Sequence, residues 1–322
     1  VKQRSVGRSG LKVSHLALGT MTWGVETDLD DAAAQLSTFV GAGGTMVDTA
    51  AMYCYGESER MLGQLLRDVV PREDLVIATK AGLTRTPDAR VVDASRGALL
   101  RQLDQSLMSL GTDYVDLWYV HWVDDSVPFE ETLSALDFAV STGRARYAGV
   151  SNYCGWRLGR AAAWQRAVPG RAEVVADQVR YSLLDRGIER EVVPACLELG
   201  IGVVPYSPLG GGVLTGKYRG GTPVDSRAAQ ARSQRLDDNR PGAAGIVEAV
   251  ATAADGLATS PIAVSLAWLR DRPGVTSVVL GARTLGQLTA ALAAEHLDLP
   301  AEISTALDDV SAPPVDYPEN VR

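Results

Sequence analysis

The stretch Leu16-Ala17-Leu18-Gly19-Thr20-Met21-Thr22-Trp23-Gly24 decides the fold. It is a β-rich run, Leu16–Met21, that breaks into a glycine-bounded turn. An open, doubly wound sheet usually carries G-x-G-x-x-G after its first strand, because glycines let the backbone approach a pyrophosphate. Gly19 to Gly24 do not fit that pattern. The other way to use a parallel sheet is to close it.

Working outward, similar runs recur along the chain. They are Thr45–Ala50, Leu75–Lys80, Val115–His121, Arg146–Ser151, Val174–Tyr181, Gly202–Tyr206 and Thr276–Gly281. Stretches with helical periodicity lie between them, among them Asp31–Gly41, Ser58–Val69, Ser95–Leu110, Glu130–Thr142, Trp156–Ala167 and Glu189–Leu199. Ser95 reads as an N-cap; Gly111 and Gly200 stand where a helix ends in a left-handed residue. With the opening run this makes about eight strands alternating with helices, the number that closes a (β/α)8 TIM barrel. The expectation is one barrel domain over residues 1–322. Ahead of it, Arg4–Gly7 and Leu11–Val13 flank Arg8-Ser9-Gly10, which reads as a β-hairpin over the N-terminal end of the barrel. The stretch 210–241 is too long and too rich in Gly, Arg and Ser for an ordinary connection, and reads as a functional loop. The tail from Pro313 reads as irregular.

The bulk numbers allow a large buried core. The chain has 322 residues, 46% of them hydrophobic, and a net charge of −8. No basic stripe points to nucleic acid. No apolar run has membrane-spanning length, and VKQRSVGRSGLKV has no signal-peptide core. The three cysteines, Cys54, Cys154 and Cys196, form neither a zinc spacing nor an even disulfide set. A cytoplasmic protein is expected, with no metal, no nucleic acid and no membrane; a homo-oligomer stays open.

Catalytic groups of a barrel collect just beyond the C-terminal ends of its strands. Asp48 closes the second run, with Tyr53 in the loop beyond; Lys80 closes the third and His121 the fourth. Ser151 and Asn152 close the fifth, Gln178 lies in the sixth, Tyr206 and Ser207 close the seventh, and Gly281 and Arg283 follow the eighth. Singly, each reads as a cap, a turn or a solvated strand end. Together on one rim they point to chemistry. Carbonyl reduction needs a hydride donor and a proton donor. A tyrosine of pKa ~10 is a poor acid until a neighbouring ammonium stabilises its phenolate. An aspartate keeps that ammonium charged, and a histidine can bind the carbonyl oxygen. Asp48, Tyr53, Lys80 and His121 supply those groups.

At these residues the chain resembles the aldo-keto reductase superfamily. Asp48-Thr49-Ala50-Ala51-Met52-Tyr53, then Gly56-Glu57-Ser58-Glu59 and Leu62-Gly63, is similar to its DTAxxY…GxSExxLG motif. Ala78-Thr79-Lys80, Asp116–His121, Gly149–Asn152 and Pro205–Leu209 resemble four further segments. Cys54-Tyr55, inserted before Gly56, resembles the bacterial branch near the potassium-channel β subunits. The resemblance implies NADPH/NADP+ as cofactor and a small-molecule carbonyl, keto-sugars included, as substrate. It implies Tyr53 as acid, tuned by Lys80 and Asp48, with His121 orienting the carbonyl. Ser151, Asn152 and Gln178 would hold the carboxamide, and Tyr206 would stack on the nicotinamide. Thr20, Met21, Ser207, Pro208, Leu209, Gly211, Lys217 and Gly281 would line the cofactor, with Arg227, Arg283 and Gln287 at the adenosine phosphate. Ala290-Ala291 stand where the family usually has Glu-Asn, which removes adenine contacts. Trp23, Tyr55 and Trp122 are the candidate substrate walls.

Two other functions use the same residues. One is a cofactor-binding sensor with little turnover; the presence of His121 leans away from it. The other is an aldolase with Lys80 as a Schiff base, which needs a neutral lysine and is opposed by Asp48.

Overall fold

The computed structural model describes residues 1–85, 89–219, 221 and 242–314. Its first two strands, β1 (Gln3–Ser5) and β2 (Lys12–Ser14), form the expected antiparallel hairpin. Eight parallel strands follow: β3 (Leu16–Gly19), β4 (Met46–Asp48), β5 (Val76–Ala81), β8 (Val115–Val120), β9 (Ala145–Ser151), β10 (Val174–Arg180), β11 (Gly202–Tyr206) and β12 (Val278–Leu280). Between β5 and β8 lies a second hairpin, β6 (Leu83–Arg85) and β7 (Arg90–Val92), which the sequence reading did not contain. The large sheet runs β11-β10-β9-β8-β5-β4-β3-β12.

The two ends of that sheet meet. Val203 of β11 donates to the carbonyl of Gly274 at 2.9 Å, and Thr276 donates back to Val203 at 2.7 Å. The eighth run is therefore divided: residues 274–276 bond to β11, and β12 bonds to β3. This is the expected (β/α)8 TIM barrel.

Helices α1 (Leu29–Gly41), α2 (Glu57–Asp68), α3 (Arg96–Leu110), α4 (Phe129–Ser141), α5 (Gly155–Arg166) and α6 (Val192–Leu199) connect the strands. α7 (Ala243–Gly256), α8 (Pro261–Arg270), α9 (Leu285–Leu292) and α10 (Ala301–Val310) complete the set among the described residues. The capping signals work as their chemistry requires. The Ser95 hydroxyl accepts from the Ala98 amide, and Gly111 and Gly200 end α3 and α6 at φ of 64° and 71°. The run read as one helix from Glu189 is divided into a 3-10 turn at Gly187–Arg190 and α6. Among the described residues no single helix is long and apolar enough to cross a membrane.

The interior of the barrel explains where the chemistry sits. Side chains alternate in and out along a strand. Ala17, Met46, Ala78, Tyr119, Ala176, Val204 and Val279 form one inward-facing apolar cluster. Two residues further along each strand, the next inward positions are Gly19, Asp48, Lys80, His121, Gln178, Tyr206 and Gly281. The polar rim is thus one more layer of the same barrel. Gly149 makes room inside it: a Cβ there would lie 2.6 Å from the Tyr119 ring.

The opposite mouth is closed by the first hairpin. Val6, Leu11 and Val13 belong to the same interior cluster, each worth about 1.5–3 kcal/mol of burial. Arg8 donates to the Gly200 carbonyl, and Arg4 Nη1 reaches the Val275 carbonyl at 2.7 Å. Gly7 has φ 54° and its missing Cβ would fall 2.2 Å from the Gly200 oxygen, so no other residue fits that contact.

Candidate active site

Lys80 is the hub of the rim. Its Nζ donates to Asp48 Oδ2 at 2.7 Å and to the Thr49 carbonyl at 2.7 Å, and lies 3.3 Å from the Tyr53 hydroxyl. Lys80, Asp48 and Thr49 are all buried. Burial by itself would push the lysine down; Asp48 and Tyr53 outweigh it and hold the ammonium above its usual range. A charged Lys80 is unsuited to Schiff-base chemistry. The second oxygen of Asp48 accepts from Gln178 Nε2 at 2.8 Å. The carboxylate is therefore held on both sides.

Tyr53 carries the opposite balance. Burial raises its pKa, Lys80 works to lower it, and Asp48 raises it again, so that the phenol is held above its ordinary value. The lowering by a nearby ammonium that the sequence suggested is present but is outweighed by burial. Tyr53 is thus a phenol at neutral pH, with a cation in place for the phenolate that remains when the proton leaves. Its rival Tyr55 has φ 56° and is 65% exposed, in the 3-10 turn that carries the chain into α2. Only Tyr53 reaches the lysine among the described contacts.

His121 stacks edge-on to Tyr53, with ring centres 6.1 Å apart. Burial, then Lys80, then Arg90 lower its pKa to about 3, so the ring is neutral. Its Nδ1 is buried and meets no hydrogen-bond partner among the described residues. A neutral imidazole beside Tyr53 is equipped to bind an oxygen rather than to shuttle a charge.

The remaining rim residues form two bonded groups. Ser151 Oγ donates to the Gln178 carbonyl at 2.8 Å; Asn152 Nδ2 reaches Ser151 Oγ at 2.9 Å and the His121 carbonyl at 3.3 Å; and the Tyr206 hydroxyl donates to Asn152 Oδ1 at 2.8 Å. Asn152 is held at φ 63°. Ser207, exposed at φ 54°, leads through Pro208 and Leu209 into three successive left-handed glycines, Gly210, Gly211 and Gly212. A Cβ on Gly212 would lie 3.1 Å from Lys217 Nζ. A glycine turn with an ammonium folded over it suits a phosphate, so the residues present fit a dinucleotide. Past β12, Gly281 borders open space, and Arg283 stands just before Thr284, the N-cap of α9: the Arg283 amide donates to Gln287 Oε1 in the first turn at 2.9 Å. Arg227 lies outside the described residues, as do positions 222–241 of the long loop and the tail from 315.

Several expectations shift. Trp23 is fully buried, its Nε1 directed to Gln35 Oε1 at 3.3 Å, and it has no surface with which to line a pocket. Apolar area won over rim position there, since the loop folds back and α1 covers it. Met21 and Trp122 are exposed at 52% and 39%. The Thr20 hydroxyl is spent internally, 2.7 Å from Ser58 Oγ, which also lies 3.1 Å from Thr49 Oγ1. Gln178 braces Asp48 in addition to any role toward a carboxamide. Two supports carry no signal of their own in the sequence: the Thr49 carbonyl as a lysine acceptor and Ser58 as the buried node beneath it. A backbone oxygen leaves no trace in residue identity. Ser58 was signalled only by its place in the Gly56–Glu59 motif.

Comparison with known proteins settles the family. The aldo/keto reductase family description matches residues 15–312. The chain belongs to the aldo/keto reductase family. Among similar proteins, the uncharacterized oxidoreductase YrpG of Bacillus subtilis (strain 168) is 34% identical, over 95% of this chain and 94% of its own. A probable voltage-gated potassium channel subunit beta of Oryza sativa subsp. japonica is 33% identical over 89% of each chain. The L-glyceraldehyde 3-phosphate reductase of Escherichia coli (strain K12) is 34% identical over 89% of this chain and 86% of its own. As an aldo/keto reductase the protein is an NAD(P)H-dependent oxidoreductase acting on a small carbonyl compound.

Proposed function

We propose that the protein reduces an aldehyde or ketone to an alcohol with NADPH, and that Tyr53 gives the proton. The observation that carries this reading is the position of Lys80, held by Asp48 and the Thr49 carbonyl while its third contact is the Tyr53 hydroxyl. When bound, the reduced nicotinamide supplies the hydride. The chain's own residues do the rest. Asn152, steadied by Tyr206 and Ser151, presents its amide to the carboxamide, with Gln178 beside it. The Tyr206 ring orients the nicotinamide face. Met21, Ser207, Pro208, Leu209, Gly211 and Gly281 border the cofactor, and Lys217 meets its pyrophosphate; Thr20 is fully buried and acts only by holding Ser58 beneath the rim. Arg283, with Gln287, meets the 2′-phosphate, which favours NADPH over NADH.

His121 binds the carbonyl oxygen through a neutral ring. Tyr53 releases its proton to that oxygen, and the phenolate is stabilised by Lys80, whose charge Asp48 maintains. Tyr55 and Trp122 border the substrate. The names of two relatives, an L-glyceraldehyde 3-phosphate reductase and a norsolorinic acid reductase B, are in keeping with a carbonyl substrate. We read the setting as cytoplasmic, in keeping with three free cysteines. A sensor that seldom turns over would have no use for a neutral His121 packed on Tyr53 with its Nδ1 unbonded among the described residues.

The test follows NADPH oxidation at 340 nm with aromatic aldehydes, dicarbonyls and keto-sugars. Turnover that disappears in Tyr53→Phe supports the reading. Folded, cofactor-binding protein with no turnover on any of them overturns it.

A further inference from the structure

Arg283 has a neighbour that its proposed role does not explain. Its Nη1 lies 3.6 Å from Glu26 Oε2, and both side chains are about three-quarters covered, at 21% and 26% exposure. The contact joins the loop after β3 to the loop after β12. Threonine side chains of the first loop tie it to the backbone of the second beneath this contact: Thr27 Oγ1 donates to the Arg283 carbonyl at 3.0 Å, and Thr22 Oγ1 to the Ala282 carbonyl at 3.2 Å. The Glu26 amide closes a turn on the Thr22 carbonyl at 2.9 Å, and the adjoining Trp23 is packed in the core. The backbone of Glu26 is therefore fixed in a hydrogen-bonded turn beside the arginine, and its side chain crosses to the guanidinium from there.

A carboxylate and a guanidinium at the adenosine end make opposite choices. A carboxylate accepts from a ribose 2′-hydroxyl and repels a 2′-phosphate; a guanidinium attracts the phosphate. We propose that Glu26, facing Arg283 across the two loops, is a specificity-determining residue that restrains the preference of this reductase for NADP(H) over NAD(H). The proposal rests on the reading of Arg283 as a 2′-phosphate ligand. Glu26 occupies one side of the guanidinium and places a negative charge beside the incoming phosphate. The phosphate must then share the arginine, and the protein keeps some affinity for the cofactor that lacks it.

The test is binding, measured by titration calorimetry of NADP+ and NAD+ at low salt, where a partly exposed charge pair is least screened. In Glu26→Gln the NADP+ dissociation constant is expected to fall about two- to fivefold, the scale of one exposed charge pair, while that for NAD+ stays level or rises. Arg283→Met is expected to weaken NADP+ and to leave NAD+ nearly unchanged. If Arg283→Met weakens NADP+ but Glu26→Gln moves both cofactors equally or neither, the inference about Glu26 is overturned and the reading of Arg283 stands. If Arg283→Met leaves NADP+ unchanged, the reading of Arg283 falls, and the inference with it. Raising the salt concentration should shrink the difference between Glu26→Gln and the unmodified protein; a difference indifferent to salt would mean repacking of the loop and would also overturn it.

Discussion

The two mouths of the barrel are built from the same strands to opposite specifications. At the N-terminal mouth the hairpin inserts Val6, Leu11 and Val13, and the backbone contacts around Gly7 leave no spare room. At the C-terminal mouth the next inward layer carries Asp48, Lys80, His121 and Gln178, and the backbone is strained. Of five non-glycine residues with positive φ among the described residues, four, Cys54, Tyr55, Asn152 and Ser207, lie on that rim. One end stores stability and the other spends some of it on geometry, which is how strained backbone is usually distributed in enzymes.

The sharpest way to break this contrast is at Tyr53, the proposed acid. Tyr53→Phe should lower kcat about 10²–10⁴-fold, the scale of a lost general acid, with little change in Tm. Tyr55→Phe should leave kcat within about twofold, since only Tyr53 reaches Lys80. Steady-state kinetics with a thermal melt on each variant checks both; a larger loss at Tyr55 would reverse the assignment.

The converse comes from the plug. Leu11→Ala should cost about 2–5 kcal/mol in urea denaturation, while kcat/KM of the protein that remains folded is unchanged. A comparable loss of activity in the folded fraction would show that the two mouths are coupled.

A third prediction concerns acid. His121 is held near a pKa of about 3, below the ordinary 6.5 that it regains on unfolding. The unfolded chain therefore binds the proton first. The stability this group contributes is intact above about pH 6.5 and is lost as pH falls toward 3, at about 1.4 kcal/mol per pH unit. His121→Gln should flatten that part of the curve of unfolding free energy against pH. In the active range His121 stays neutral, so kcat should show no break from it between about pH 5 and 8.

The smallest effect is expected at the strained rim itself. Ser207→Gly should raise stability by about 1 kcal/mol by relieving a left-handed serine, readable as a Tm increase of a few degrees. No change would mean that the serine hydroxyl compensates its own backbone.

The architecture was legible because strand and helix periods alternate strictly and because polar residues punctuate the strand ends. Asp48, Lys80 and His121 could be placed on one rim from that pattern, and Tyr53 from motif spacing. What escaped depended on contacts distant in sequence. The division of the eighth run follows from Gly274–Thr276 bonding to Val203, which local propensity does not encode. The β6–β7 hairpin is a short insertion with no strong alternation. Trp23 was misplaced because an aromatic after a strand end can turn outward to ligand or inward to core, and only the packing of α1 decides. The bracing of Asp48 by Gln178 spans 130 residues.

The left-handed residues of the rim carry a practical lesson for anyone selecting hardier variants of this protein. A screen for survival at high temperature would reward glycine at Ser207 first, because that exchange relieves the backbone; at Asn152 the same relief is opposed by the loss of its hydrogen bonds to His121, Ser151 and Tyr206. Glycine at Ser207 keeps the turn but removes the hydroxyl, and glycine at Asn152 removes the amide, both of which we propose to face the cofactor. Thermostability and turnover should therefore be screened together at these positions, whereas the plugged mouth can be improved on heat resistance alone.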